Sequence, residues 1–284
     1  MRVLITGAAG QLGHDTRLVC EAAGDDVIAL DRASLDVTDR DAVLSAIHTA
    51  RPSAVINCAT WTAVDACEGD PAGALLTNGL SARWIADACR QTNAHLVHIS
   101  TDYVFDGNKT GPYHEWDEPN PQSVYGASKL AGEREVLQAG IGATVARTSW
   151  LCGEYGPNMV KTILRFAAER DTLTFVDDQI GHPTFCADLA SLLRRLAVDR
   201  RSGVHHTTNA GAVSWFEFAQ AVVAAAGRNP DMVLACKTND LQPARPAPRP
   251  ANSVLDNAVL RASGLAPLRD FRVPLAELVA KLTA

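Results

Sequence analysis

The first half of the chain alternates short apolar, β-branched runs with stretches of helical character. The apolar runs cover residues 2–6, 26–30, 53–57, 95–100 and 142–147, and the helical stretches cover residues 15–23, 39–50, 71–92 and a segment ending near residue 138. Strands that alternate with helices over short connections predict an α/β fold with a parallel, doubly wound sheet. Binding sites in such sheets form beyond the carboxyl ends of the strands.

A glycine-rich turn follows the first predicted strand and precedes the first predicted helix. Its glycines, Gly7, Gly10 and Gly13, are spaced three residues apart. Glycine lets the backbone approach a diphosphate closely, and the amides and dipole of a helix N-terminus favour its charge. Such a turn also occurs without any ligand. The motif alone therefore leaves open both a dinucleotide-binding, Rossmann-like fold and a plain turn.

The second strand ends at Asp31 and Arg32, where a Rossmann-like fold meets the adenosine ribose. An acidic residue there typically binds the ribose hydroxyls of NAD, whereas an arginine accommodates the extra phosphate of NADP. The chain offers both, and the two can also form a simple surface ion pair, so NADPH and NADH stay open. Asp36 lies in the next loop, where it is either near the adenine or only stabilises the turn. Thr38 is predicted to cap the following helix.

Two further strands bring small and hydroxyl-bearing residues to the same edge of the sheet. Ala59 and Thr60 follow the third strand and leave room for a cofactor, whereas Trp61 is predicted to be a packed aromatic residue. The fourth strand ends in Ser100 and Thr101, and a hydroxyl there can bind a carbonyl oxygen that is to receive a proton. An ordinary turn at the strand end is the alternative.

Tyr125 and Lys129 lie four residues apart in a predicted helix, so their side chains share one face. A tyrosine ordinarily loses its proton near pH ~10, and a neighbouring positive charge lowers that pKa. This pair predicts that Tyr125 is a proton donor. An exposed helix pair is the alternative, because the spacing alone is a weak signal.

Beyond residue 150 the pattern changes to scattered helices and short strands. We therefore expect a dinucleotide-binding Rossmann domain over residues 1–150 and a smaller α/β substrate lobe over residues 151–284, with segments near 185–210 returning to the first domain. Residues 241–250 contain four prolines and two arginines. They predict either a stiff ordered loop or a linker. We favour a loop that brings Arg245 or Arg249 to a diphosphate. A solvated surface loop is the alternative, and for Arg245 it is the favoured one.

Composition narrows the range of partners. The chain has 26 basic and 32 acidic residues and a net charge of −6 without blocks of like charge, so neither nucleic acid nor a membrane is expected as a partner. The seven cysteines include no C-x-x-C pair, and His205 and His206 occupy opposite faces of a strand, so no metal site is predicted. Without a leader or a long apolar run, the chain is expected to be cytoplasmic.

Several spaced motifs together resemble a known family. They are TGAAGQLG at residues 6–13, INCATWTAVD at 56–65, STDYVFDG at 100–107, VYGASKLAGE at 124–133, RTSW at 147–150 and DQIGHPT at 178–184. In this order they resemble the extended short-chain dehydrogenase/reductases, and among them the dTDP-4-dehydrorhamnose reductases. The resemblance extends over nearly the whole chain.

The resemblance implies reduction of the C4 keto group of a dTDP-4-keto-6-deoxy sugar by NADPH or NADH. It implies that Tyr125 protonates the O4 oxygen, that Lys129 holds the nicotinamide ribose and lowers the pKa of Tyr125, and that Thr101 binds the keto oxygen, with Ser100 as the competing hydroxyl. The implied cofactor-binding residues are Gly7, Gly10, Gln11, Leu12, Gly13, Asp31, Arg32, Asp36, Val37, Ala59, Thr60, Thr62, Tyr125 and Lys129. The implied substrate-binding residues are Thr101, Asp102, Phe105, Tyr125, Trp150 and Arg249, although Trp150 can equally pack in a core.

Some positions depart from the family pattern. The family often has alanine and histidine where this chain has Thr60 and Trp61, so the preferred sugar stays open. Some relatives hold a metal ion at a dimer interface through acidic residues, of which only Asp15 is matched here. No metal is predicted, and a homodimer stays open. The alternatives are a reductase or epimerase of another nucleotide sugar, or a non-catalytic relative such as the regulatory subunit of methionine adenosyltransferase.

Overall fold

The computed structural model describes residues 1–283 and shows an α/β fold around one large sheet. Its strands are β1 (Arg2–Thr6), β2 (Asp26–Leu30), β3 (Ala54–Asn57), β4 (His95–Thr101), β5 (Ala143–Thr148), β6 (Leu151–Cys152), β7 (Leu173–Val176), β8 (Ile180–Gly181), β9 (Thr184–Phe185), β10 (Gly203–His206), β11 (Asn209–Ala210), β12 (Val213–Ser214), β13 (Val233–Cys236) and β14 (Leu268–Asp270). Its α-helices are α1 (Gln11–Ala22), α2 (Arg40–Ala50), α3 (Val64–Gly69), α4 (Pro71–Leu75), α5 (Ser81–Thr92), α6 (Val124–Gln138), α7 (Met159–Glu169), α8 (Cys186–Val198), α9 (Trp215–Ala225), α10 (Ala258–Ala262) and α11 (Arg272–Thr283).

The central sheet has the strand order β10-β5-β4-β3-β1-β2, and every neighbouring pair is parallel. Alternate residues of each strand face opposite sides, so Val3 and Ile5 enter one core and Leu4 enters the other. Helices α1 and α8 cover the first side, and α2, α5 and α6 cover the second. The predicted doubly wound parallel sheet is confirmed.

The second half of the chain builds a separate apolar core and also extends the central sheet. Ile163, Phe218 and Phe271 are fully buried in that core, whereas β10 pairs in parallel with β5. Both histidines of β10 are buried. The division into a dinucleotide-binding domain and a substrate lobe stays a prediction.

Helix α2 is capped by Asp39, and the prediction that Thr38 caps it is wrong. The Asp39 carboxylate accepts the N–H groups of Asp41 and Ala42, each at 3.0 Å. The Thr38 hydroxyl instead donates to the Asp36 carboxylate at 2.7 Å. Aspartate is at least as good an N-cap as threonine, and Asp39 lies one position nearer the first turn.

The helix predicted over residues 71–92 is interrupted, and a short helix before it was not predicted. Helices α4 and α5 are joined by a π-helical turn at Leu76–Leu80, and α3 covers Val64–Gly69. A π-helical turn widens the backbone locally and often marks a functional position. Here it contains Asn78, which is 1% exposed.

Candidate active site

The turn between β1 and α1 depends on the absence of side chains at two glycines. Gly7 has a φ of +65°, and a Cβ built there would lie 2.7 Å from the backbone nitrogen of Ala59. A Cβ at Gly13 would lie 2.2 Å from the Gly7 carbonyl oxygen. Helix α1 begins without a side-chain cap and without an acidic residue in its first turn. Its first amides are therefore free to meet an anion.

A cleft of about 660 Å³ opens beside this turn. Many predicted cofactor-binding residues line it, namely Gly7, Gly10, Arg32, Asp36, Val37, Ala59 and Thr60. The other seven do not line it. Leu12 is buried in the core behind α1, Gly13 lies against the turn, Thr62 is exposed, and Gln11 hydrogen-bonds to Pro157 and Asn158. Asp31, Tyr125 and Lys129 are also absent from the lining of this cleft.

Asp31 and Arg32 have different surroundings. One Asp31 carboxylate oxygen accepts hydrogen bonds from the Ala33 N–H, the Ser34 N–H and the Ser34 hydroxyl, and the bonds from Ser34 lower the pKa of Asp31. Arg32 is exposed and lines the cleft. The arginine is therefore the more available of the two for a ligand.

The cleft also contains residues that the sequence did not indicate. Trp61 lines it, in addition to packing in the cluster around Tyr125, so the prediction of a purely packed residue is incomplete. Asp70, Gly73 and Thr77 line it as well. The Asp70 carboxylate caps α4 by accepting the Gly73 N–H at 2.9 Å. An aspartate followed by proline is a typical helix start, and that signal was available in the sequence.

Tyr125 is placed by a well-defined helix start. Ser123 caps α6 by accepting the Gly126 N–H at 3.1 Å, and Tyr125 is 8% exposed, next to the edge of the Tyr103 ring with centroids 5.5 Å apart. Burial raises the pKa of Tyr125, while the neighbouring Thr101 hydroxyl acts in the opposite direction. The phenol is therefore protonated at neutral pH, as a proton donor requires.

Lys129 is 2% exposed and donates a hydrogen bond of 2.6 Å to the Ile99 carbonyl oxygen. Burial lowers its pKa to about 8, and the charge of Glu133 partly opposes this shift. The expected lowering of the Tyr125 pKa by Lys129 is not seen, because burial dominates at Tyr125 and the ammonium is engaged with Ile99.

The hydroxyls at the end of β4 have separate partners. Ser100 donates to the Glu133 carboxylate at 2.5 Å. Thr101 donates to the buried Asp102 carboxylate at 2.9 Å, and its side chain lies beside that of Tyr125. Of the two competing hydroxyls, Thr101 is the one beside Tyr125. Burial raises the pKa of Asp102 to about 6, and its second oxygen has no hydrogen-bond partner.

A second cleft, of about 230 Å³, starts one aromatic ring away from Tyr125. Its lining includes the predicted residues Phe105 and Arg249, together with Tyr103, Asp106, Asn108, Gln122, Ser123, Pro248 and Pro250. Arg249 donates to both carboxylate oxygens of Asp65, at 2.5 and 2.7 Å. Trp150 stacks on Trp215 with ring centroids 3.6 Å apart and lines neither cleft. Its substrate role stays a prediction.

Among residues 1–283, no group of three or more His, Cys, Asp or Glu side chains is arranged to hold a metal ion. Among the same residues, no helix has the length and apolar character needed to cross a membrane.

A six-stranded parallel sheet, a glycine turn after its first strand, and a Tyr-x-x-x-Lys helix at its carboxyl edge define a Rossmann-like oxidoreductase of the short-chain dehydrogenase/reductase type. The family model described as RmlD substrate binding domain matches residues 1–284, and the chain belongs to this family.

Individual relatives are similar to this chain over nearly its whole length. A dTDP-4-dehydrorhamnose reductase of Streptomyces griseus is 44% identical over 97% of this chain and 92% of that protein. A probable dTDP-4,6-dihydroxy-2-methyloxan-3-one 4-ketoreductase of Streptomyces antibioticus is 45% identical over 98% and 94%. The crystal structure of dTDP-4-dehydrorhamnose reductase from Bacillus anthracis in complex with NADP covers 99% of both chains, with a TM-score of 0.94 and 37% identity. The resemblance predicted from the sequence motifs is confirmed.

Proposed function

We propose that the protein reduces the C4 keto group of a dTDP-4-keto-6-deoxy sugar and uses NADPH as the hydride donor. The observation that carries this proposal is the position of Tyr125, beside Thr101. Tyr125 packs with Trp61, which lines the first cleft, and with Tyr103, which lines the second. One cleft is suited to a dinucleotide and the other contains an arginine for a diphosphate. The named activities of the relatives support the same reaction.

The residues of the first cleft fit a dinucleotide. Side chains at Gly7 and Gly13 would collide with neighbouring backbone, and the uncapped start of α1 offers amides to a diphosphate. Arg32 is available for the extra phosphate of NADPH, whereas the Asp31 carboxylate holds its own turn. We therefore propose NADPH as the preferred cofactor.

The protein's own part in the reaction is to hold the keto sugar and move one proton. Bound NADPH would supply the hydride that adds to C4. The Tyr125 phenol gives its proton to O4, so its O–H bond breaks as the new O–H bond forms, and water reprotonates the phenolate. Thr101 orients the keto oxygen and the phenol. Lys129, one helical turn from Tyr125, supplies a buried positive charge.

The test follows the absorbance of NADPH with wild-type protein and an enzymatically generated dTDP-4-keto-6-deoxy sugar. We expect oxidation that depends on the sugar and that falls by about a hundredfold or more in Y125F, while the affinity for NADPH measured by fluorescence stays within about twofold. Y155F is the control, because Tyr155 stacks on His14 outside both clefts. Wild-type turnover in Y125F would contradict the mechanism.

A reductase acting on a different keto sugar is the second candidate. Trp61 lines the cofactor cleft at a position where the related reductases often have histidine, and the Streptomyces antibioticus relative carries a different substrate name. Comparing turnover of several dTDP-keto sugars separates the two candidates. An epimerase would consume no added NADPH. A cytoplasmic location, the absence of a nucleic-acid partner and a homodimer stay predictions.

A further inference from the structure

Residues 242–250 form one wall of the second cleft, and we call them the proline-rich loop. Pro248, Arg249 and Pro250 line the cleft together with Tyr103 and Phe105. The loop contains no helix or strand. Its prolines have no N–H to donate, so few backbone hydrogen bonds can fix its position.

The hydrogen bonds that tie this loop to distant parts of the chain converge on Asp65. The Ala247 N–H donates to Oδ1 of Asp65 at 3.1 Å, across 182 positions of sequence. Arg249 donates to Oδ1 and Oδ2 of the same carboxylate, and this ion pair lowers the pKa of Asp65 to about 2. Asp65 lies on α3, whose residues Val64 and Cys67 pack in the cluster around Tyr125.

The guanidinium of Arg249 retains unused donors. Of its five N–H groups, two donate to Asp65 and a third donates to the Ala247 carbonyl oxygen at 2.7 Å. Two N–H groups remain, with the Tyr103 phenol beside them. The Arg249 side chain is 10% exposed, so these contacts, rather than free rotation in solvent, fix its orientation.

We propose that Asp65 is a positioning residue for a nucleoside diphosphate: it holds Arg249 and the proline-rich loop so that the remaining guanidinium N–H groups face a diphosphate in the second cleft. This inference rests on the proposed function, which supplies the substrate class. Asp65 acts through Arg249. Without the carboxylate, the loop loses its anchor and must be ordered again on each binding event, which weakens affinity.

The test measures binding of dTDP to the full chain by titration calorimetry, in the wild type, D65N, R249K and the double variant. We expect D65N to weaken binding about tenfold, the scale of one charge-assisted hydrogen bond. The double variant should bind no more weakly than R249K, because Asp65 acts through Arg249. In turnover, D65N should raise the KM for the keto sugar and leave kcat within about twofold.

The matched control is D256N. Asp256 accepts two hydrogen bonds from Arg261, at 2.6 and 3.0 Å, and lines neither cleft. D256N is therefore the same substitution as D65N, made in the same kind of ion pair. We expect it to leave the dTDP affinity unchanged. A further variant, D65A, removes both acceptors, so the Ala247 amide should exchange its hydrogen faster than in D65N.

Each outcome has a defined meaning. Wild-type dTDP affinity in D65N, an equal further loss in the R249K background, or a wild-type protein that does not bind dTDP would overturn the proposal. Faster exchange in D65A without weaker dTDP binding would also overturn it, because Asp65 would then be only a structural anchor. A protein that binds dTDP as expected but does not reduce the keto sugar contradicts the proposed function alone.

Discussion

The side-chain amide of Asn78 donates a hydrogen bond of 3.0 Å to the hydroxyl of Ser128, which joins the π-helical turn to the helix that carries Tyr125. The same amide donates to the Trp61 carbonyl oxygen at 3.1 Å. Its oxygen accepts the Trp61 N–H and the Thr60 hydroxyl. Asn78 thus connects the loop that lines the first cleft to α6. All donors and acceptors of its side-chain amide are used.

Replacing Asn78 by alanine should damage both stability and cofactor binding. The substitution removes the Asn78 partners of the Trp61 N–H and carbonyl groups and the donor to the Ser128 hydroxyl. We expect this to cost about 2–4 kcal/mol in the free energy of unfolding measured in urea. The KM for NADPH should rise, because the loop at Thr60 and Trp61 loses its support.

The control for that variant is N229A. Asn229 lies at the surface and accepts only the Asp231 N–H, at 3.0 Å, so its loss should cost about 1 kcal/mol. Equal effects of the two substitutions would show that the bridge to α6 contributes nothing beyond an ordinary cap.

Asp102 should make the stability of the protein depend on pH. Burial raises its pKa in the folded state from 3.8 to about 6, so between these pH values the folded protein binds more protons than the unfolded chain. The contribution of Asp102 to stability is therefore fully present below the unfolded pKa and is lost as pH rises through about 6. Above that pH the loss is about 3 kcal/mol relative to D102N. Urea unfolding of both proteins at a series of pH values tests this, and parallel curves would refute it.

The sequence predicted the lining of the first cleft better than that of the second. The reason is the separation in sequence between the residues that meet there. Gly7, Gly10, Ala59 and Thr60 directly follow strands of a parallel sheet, so their place at one edge follows from the strand pattern alone. Arg249 was expected at a diphosphate, but its partner Asp65 is 184 positions away. That pairing depends on the path of an irregular loop, which carries no periodic pattern.

Buried polar contacts were the other features beyond the reach of sequence patterns. A regular helix over residues 71–92 gives no reason to place Asn78 inside, because the π-helical turn that contains it leaves no mark on apolar spacing. Likewise, Tyr125 and Lys129 were expected to interact, whereas Lys129 donates to Ile99. The spacing fixes which residues share a helix face, but burial and a competing carbonyl decide where the ammonium points.

Arg32 should determine the preference for NADPH over NADH. In R32A we expect the KM for NADPH to rise about tenfold to a hundredfold and the KM for NADH to change by less than about threefold, since only NADPH carries the phosphate that the guanidinium would meet. R40A is the control, because Arg40 is exposed, pairs with Asp41 and does not line the cleft. Equal loss with both cofactors would assign Arg32 a role unrelated to the phosphate.

Glu133 should be essential for stability because it neutralises the buried Arg147 near the proposed catalytic residues. Arg147 donates to its two oxygens at 2.9 and 2.7 Å, and the side chains are only 4% and 2% exposed. In E133Q the guanidinium stays buried without a counter-charge, so the free energy of unfolding in urea should fall by about 3–5 kcal/mol.

Two further variants separate this cause from a general loss of packing. Replacing both partners in E133M/R147M removes the uncompensated charge and should recover most of the stability lost in E133Q, because apolar residues of similar volume often replace a buried ion pair without cost. Glu135 lies on α6, as Glu133 does, and pairs with Arg83 of α5 at the surface. E135Q breaks this pair and should cost less than about 1 kcal/mol. If E133Q unfolds at the wild-type urea concentration, the ion pair does not stabilise the sheet edge that carries Ser100 and Thr101.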